Sequence, residues 1–255
     1  MVAVTAMAGL LAFFRSPGWK AFMLSLPIPF TCATLSLGQG VGISNVSGLV
    51  ALLLFTVGVR FGYYRLRWPI VPVIVLCAIG YCLLAAGLNR LLPRGEAAFW
   101  IACAAVFAIG VVAFRTAPIV AEPHYRSPLP LWVKIPVIAL VVAFLVIIKS
   151  QIGGFMTTFP MVGTISAYEA RHCLNVVCRQ IAMGVFMMAL TIGVIHVLHR
   201  ALAPFLPGQA CLVAALAGGW VVYLAQLAAV TRGRWALSVP VLEPEPVALP
   251  DRSNA

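Results

Sequence analysis

Apolar residues run through this chain in long unbroken stretches divided by short polar ones. The stretches cover 2–14, 19–37, 46–64, 69–89, 97–114, 132–148, 152–168, 180–198 and 205–230. Most approach the roughly 20 residues that a helix needs to cross a bilayer. The alternating ten-residue segments of a membrane β-barrel do not occur. In lipid, a helix is the element that satisfies its own backbone hydrogen bonds. The pattern therefore predicts an all-α, polytopic transmembrane helical bundle of about nine segments. The stretch 2–14 is short for a span and fits a re-entrant half-span equally well. A connector over 115–131 carries Pro118, Pro123, Pro128 and Pro130, and a tail from 235 carries Pro240, Pro244, Pro246 and Pro250. That tail is expected to be flexible.

Two short patterns recur in the same order. Phe22-Met23-Leu24-Ser25-Leu26-Pro27 returns as Phe155-Met156-Thr157-Thr158-Phe159-Pro160, and Phe55-Thr56-Val57-Gly58-Val59 returns as Leu190-Thr191-Ile192-Gly193-Val194. The nearly constant offset predicts a duplicated unit. The implied divisions are a first four-helix repeat over 1–94, a linking helix and Pro-rich connector over 95–131, a second four-helix repeat over 132–230, and a cytoplasmic tail over 231–255. An odd number of crossings separates equivalent helices, which inverts the second repeat. Inverted repeats commonly flank a substrate pathway in carriers.

Composition agrees with lipid as the solvent. Hydrophobic residues make up 63% of the 255 positions, charged ones 9%, and the mean hydropathy is +1.06. So few charges cannot cover a water-soluble surface of this size. The 17 Lys+Arg exceed the 6 Asp+Glu, and their distribution sets an orientation. Arg15, Lys20, Arg60, Arg65, Arg67, Arg115, Arg126, Lys134, Arg171, Arg179, Arg232, Arg234 and Arg252 fall on one side, and Arg90, Arg94, Lys149 and Arg200 on the other. Positive loops stay inside, so the C-terminus is expected in the cytoplasm of a bacterial inner membrane. The excess charge points to the bilayer and anionic lipid headgroups as partners. No basic run is dense enough for nucleic acid. A homo- or hetero-oligomer is compatible with the sequence. The seven cysteines mostly border apolar runs, as small hydrophobes do. Cys173 and Cys178 form a pair that no second pair completes into a zinc site. No cleavable-signal pattern is present, because Arg15 follows the first apolar stretch.

The stretch from Lys149 to Tyr168 combines a basic residue, a glycine pair, an apolar run, Phe-Pro and a polar turn. Lys149, Gly153, Gly154, Phe159 and Pro160 fill those places. In this it resembles the GlpM-like family of small bacterial inner-membrane proteins. The first half carries a degenerate copy, with Arg15 and Pro27 in place but Trp19 and Lys20 near where the glycines would fall. The resemblance implies a duplicated four-helix unit and no particular chemistry.

Candidate chemistry is sparse. Glu169 abuts a membrane segment, within Tyr168-Glu169-Ala170-Arg171-His172, with Asn175 and Arg179 following. An ionisable group at membrane depth is usually paired or functional. Glu169 and His172 share a helical face, as do His172 and Asn175. Tyr168, Glu169, Arg171, His172, Asn175 and Arg179 are thus candidates to bind a substrate or ion, against the plainer alternative of an interfacial charge cluster. Pro27, Pro29, Gly153, Gly154 and Pro160 are candidates for helix breaks, where carriers aim helix ends at substrates. Thr157 and Thr158 stand where they can satisfy the freed carbonyls. His196 and His199 are expected at the interface, with no acid nearby in sequence, and Glu96 is placed in a loop. No nucleophile elbow, zinc motif, Walker loop or dinucleotide fingerprint occurs. The expected function is a carrier or flippase for a small solute or lipid-linked anion, not an enzyme, with no cofactor and no metal. The alternative is a non-catalytic accessory or scaffold subunit of a larger membrane complex.

Overall fold

The computed structural model describes residues 26–38, 40–93, 95–118, 153–158, 164, 167–168, 171 and 174–236. Among the described residues the chain is all-α, with six helices, one short 3-10 helix and no strand. Helix α1 covers Ile28–Leu37, α2 Ile43–Tyr64, α3 Ile70–Leu91, α4 Glu96–Thr116, α5 Leu174–Leu202 and α6 Gly208–Ala236. The 3-10 helix spans Gly153–Thr158. Helices α2 to α6 are long and apolar enough to cross a bilayer, the architecture of a multi-pass membrane protein.

The expected stretches 46–64, 69–89 and 97–114 correspond closely to α2, α3 and α4. Those at 180–198 and 205–230 underestimate α5 and α6. Polar residues such as Asn175 and Arg179 interrupt the apolar pattern there, but helix continues through them because it needs no apolar side chain to propagate. Of the stretch 19–37, residues 19–25 lie outside the described residues, and α1 starts at Ile28. Pro27 is its N-cap and Pro29 lies in its first turn, where the missing N–H groups are not needed. It ends at Gly38, whose φ of 64° is the left-handed cap that glycine supplies. Within 152–168 the described residues are the 3-10 helix and the helical Thr164, Ala167 and Tyr168. The stretches 2–14 and 132–148, most of the connector and the tail lie outside the described residues.

Successive long helices alternate in direction. Call the end holding the start of α2 end A, and the opposite end end B. The α2–α3 turn lies at end B, and the α3–α4 and α5–α6 turns at end A. Helix α5 runs back beside α4, with Arg179 reaching Ala117 at end B and His196 reaching Glu96 at end A. A Cβ on Gly110 would stand 2.8 Å from the Phe186 backbone nitrogen, so α4 and α5 touch backbone to backbone there. Helix α6 packs against α5 through Gly218 and Gly219, which face Leu198 and Ile195. Small residues allow this closeness in membrane bundles.

Two apolar cores share α2. One joins Ala51, Phe55 and Val59 to Ile70, Val73, Ile74 and Ala85 of α3 and to Phe155. The other joins Val46, Leu49 and Leu53 to α4, α5 and α6, with Phe99, Val106, Met187, Ile192, Leu216 and Tyr223. Large apolar side chains such as Leu83 of α3 and Ile101 of α4 point outward and are exposed, as a lipid-facing surface requires.

Candidate functional site

The 3-10 helix sits inside the bundle against α1, α2 and α3. It replaces a regular turn with six residues in a tighter coil, so some of its carbonyls need side-chain donors. Its own threonines supply two of these bonds. Thr157 Oγ1 donates to Gly154 O at 2.7 Å, and Thr158 Oγ1 to Phe155 O at 3.2 Å. Neighbouring helices supply the rest. Asn45 Nδ2 donates to Thr157 Oγ1 at 2.9 Å and to Gly154 O at 3.3 Å. The Tyr81 hydroxyl donates to Phe155 O at 2.8 Å and lies 3.0 Å from Thr158 Oγ1. Asn45 Oδ1 accepts from the Gly42 N–H at 2.7 Å, which also caps the start of α2. Asn45, Tyr81, Thr157 and Thr158 are all buried, between 2% and 6% exposed.

This closeness depends on two glycines. A Cβ on Gly48 would stand 2.0 Å from Thr158 Oγ1, and one on Gly154 2.3 Å from Ser44 Oγ. Any larger residue at either place pushes the 3-10 helix off α2. Gly154 O and Phe155 O each accept from two donors, so these carbonyls are satisfied by protein and leave no vacancy that calls for a cation.

Next to this knot, at end A, lies a cavity of about 280 Å³. Gly42, Ile43 and Ser44 of the α2 start, Asn89 and Leu92 at the α3 end, Gly95, Glu96 and Phe99 of α4, and His196 of α5 line it. Ser44 belongs to both places, as a wall of the cavity and the neighbour of Gly154.

A charged cluster forms the outer rim. Glu96 Oε1 accepts from Trp100 Nε1 at 3.1 Å and lies 3.2 Å from His196 Nε2, while Oε2 accepts from Arg200 Nη1. The other ring nitrogen of His196 lies 3.2 Å from Val41 O. The two ring nitrogens thus face a backbone carbonyl and a carboxylate. The imidazole stacks on Phe99, with ring centroids 4.1 Å apart. These contacts fasten α4 to α5 and to residues 40–42. Glu96 is thus the first residue of α4, not part of a loop. The acid that His196 lacks nearby in sequence is supplied by a helix a hundred positions away.

The residues singled out around Glu169 divide. Glu169, His172 and Pro160 lie outside the described residues. Tyr168, Arg171, Asn175 and Arg179 are described and lie toward end B, away from the cavity. The Arg171 guanidinium covers the Tyr168 ring at 4.9 Å, and the Arg171 carbonyl accepts from the Tyr64 hydroxyl at 3.3 Å. Arg179 donates to Ala117 O at 3.3 Å and covers the Phe114 ring at 4.7 Å, which secures the α4 end to α5. Asn175 shares the first turns of α5 with Arg179. Gly153 and Gly154 open the 3-10 helix, and α1, which Pro27 caps, packs against it. Asn45, Tyr81 and Ser44 escaped sequence reasoning. Tyr81 left one signal: a tyrosine inside an apolar stretch needs a partner for its hydroxyl.

Comparison with known proteins gives no match: no family model, no curated protein and no solved structure is similar to this chain. Among the described residues no group of histidine, cysteine and acidic side chains has the arrangement of a metal site.

Proposed function

We propose that this protein is a carrier or flippase that passes a small solute or a lipid-linked anion between two sets of helices. The supporting observation is the short, broken pair formed by α1 and the 3-10 helix, which meet inside a bundle of long helices beside a polar-walled cavity. Carriers place irregular backbone where it lines a pathway. The cavity joins groups of both kinds such a site needs: the apolar walls of Leu92 and Phe99, and the polar Ser44, Asn89 and His196.

The finer architecture belongs to the same proposal. Two inverted repeats of four helices, joined by α4 as the linking helix, make α2 equivalent to α5 and α3 to α6. In support, α2 and α5 run antiparallel, and the matching Thr56 and Thr191 are both buried and bonded to the carbonyl four residues back. Gly58 and Gly193 differ in their neighbours, Cys77 of α3 and Trp100 of α4. A duplicated GlpM-like unit is the corresponding ancestry. End B carries Arg60, Arg65, Arg67, Arg115, Arg171, Arg179 and Arg232, against Arg90 and Arg200 at end A among the described residues. End B and the C-terminus are accordingly cytoplasmic in an inner membrane, and the cavity opens outward.

The accessory-subunit reading has one observation in its favour. The carboxylate at the cavity already accepts from Trp100 and Arg200 and faces His196, as a structural clasp would. Labelling separates the two. In a chain without native cysteines, Ser44→Cys is exposed to a membrane-impermeant thiol reagent in right-side-out and in inverted vesicles. A carrier is labelled from both sides, because the site faces each in turn. Labelling from end A alone removes the carrier reading and leaves the accessory subunit.

A further inference from the structure

Helices α2 and α3 are joined at end B and parted at end A. Gly58 and Gly62, four residues apart on α2, lie on the face turned to α3. A Cβ on Gly62 would stand 2.6 Å from Val73 Cγ1, and one on Gly58 3.1 Å from Cys77 Sγ. The two helices therefore touch most closely there, as small-residue pairs allow. Toward end A the 3-10 helix enters between them. It lies on α2 at Gly48 and Asn45 and is bonded to α3 by Tyr81. Beyond it, in the mouth of the V, the cavity separates Gly42–Ser44 of α2 from Asn89 and Leu92 of α3.

We infer that the 3-10 helix is a wedge that sets the opening between α2 and α3. Its displacement lets α3 pivot on the Gly58–Gly62 contact and brings Asn89 toward Ser44, closing the cavity at end A. As a gate this rests on the carrier reading; as a description of what holds the cavity open it does not.

Three features make the wedge movable. It is only six residues long, and short 3-10 turns hold poorly by themselves. Its polar attachment to the two walls runs through individual hydrogen bonds of Asn45 and Tyr81, which can exchange one at a time, beside the apolar contact of Phe155. Among the described residues the broad packing of α3 is on α2, and its contact with the 3-10 helix is small. The opposite wall is fixed, because α4 and α5 meet backbone to backbone at Gly110 and share an apolar core with α6, so motion falls to α3.

The test is disulfide formation between Ser44→Cys and Asn89→Cys in the full chain lacking its native cysteines, in liposomes under a mild oxidant. The wedge is displaced by Gly48→Ala, whose Cβ takes the place of Thr158 Oγ1. If the closed form is a minor state of a tenth or less, making it dominant raises the cross-linking rate about tenfold. Adding Thr158→Ala removes the clashing hydroxyl and leaves a tight approach of 3.2 Å to its Cβ. The rate then returns toward that of the parent. An unchanged rate in the Gly48→Ala chain overturns the inference. So does a raised rate that Thr158→Ala fails to lower, because general loosening of the fold gives that result. One-sided labelling of Ser44→Cys with this cross-linking pattern intact removes the carrier reading and leaves the wedge standing.

Discussion

Two polar clusters sit a few residues apart at one end of this bundle and are built on opposite principles. The knot around the 3-10 helix is buried and uncharged. Asn45, Tyr81, Thr157 and Thr158 give their hydrogen bonds to one another and to Gly154 O and Phe155 O. The rim cluster is charged and wet, with the Glu96 side chain 49% and the Arg200 side chain 62% exposed. Away from water an unmatched polar group keeps its full desolvation cost, so the knot has to be complete. At the rim, water screens the charges and competes for them, and exposed ion pairs add little to stability. The knot therefore holds the break in the bundle together, while the rim cluster positions helices that other packing already secures.

The contrast is sharpest in Asn45→Ala. This change removes the two bonds from Asn45 to the 3-10 helix and the acceptor for the Gly42 N–H, and should cost about 2–3 kcal/mol in thermal unfolding in detergent. Tyr81→Phe removes one donor while Phe155 O keeps its bond from Thr158, so a loss of about 1–2 kcal/mol is expected in the same measurement. Thr157→Val keeps the shape and removes a hydroxyl that both donates to Gly154 O and accepts from Asn45. It should cost about as much as Tyr81→Phe, roughly 1–2 kcal/mol, because two bonds are lost while Asn45 and Gly154 O keep their bond to each other. Glu96→Gln should have the smallest effect. The difference between this variant and the parent chain should fade as salt is raised to about 1 M, where charges are screened within about 3 Å. If Glu96→Gln destabilises as much as Asn45→Ala, and does so at high salt, the division between the clusters is broken. A Tyr81→Phe chain with unchanged unfolding would show that α3 is held by its apolar core alone.

Much of the architecture was legible along the chain because the information is local. A run of apolar residues long enough to span lipid is a helix whatever packs beside it, which is why 46–64, 69–89 and 97–114 lie so close to α2, α3 and α4. The prolines at 27 and 29 and the glycines at 153 and 154 marked short or irregular backbone for equally local reasons, a missing N–H and a missing side chain. The helix ends were less legible. Asn175 and Arg179 fall just outside the apolar stretch 180–198, yet both lie in α5, where Arg179 finds a carbonyl and an aromatic face at the α4 end.

The sequence alone determined that this chain holds several helices long and apolar enough to cross a membrane, and which of its loops carry the positive charge. Hydrophobicity and backbone chemistry act residue by residue, and a single strand of text displays them. Only the tertiary structure decided that Glu96 meets His196 and Arg200, that Asn45 and Tyr81 reach the 3-10 helix from two different helices, and that a cavity opens beside them. Those pairings depend on the rotation and depth of each helix against its neighbours. Those are set by close approaches such as Gly48 on Thr158 and Gly110 on Phe186, between residues more than seventy positions apart.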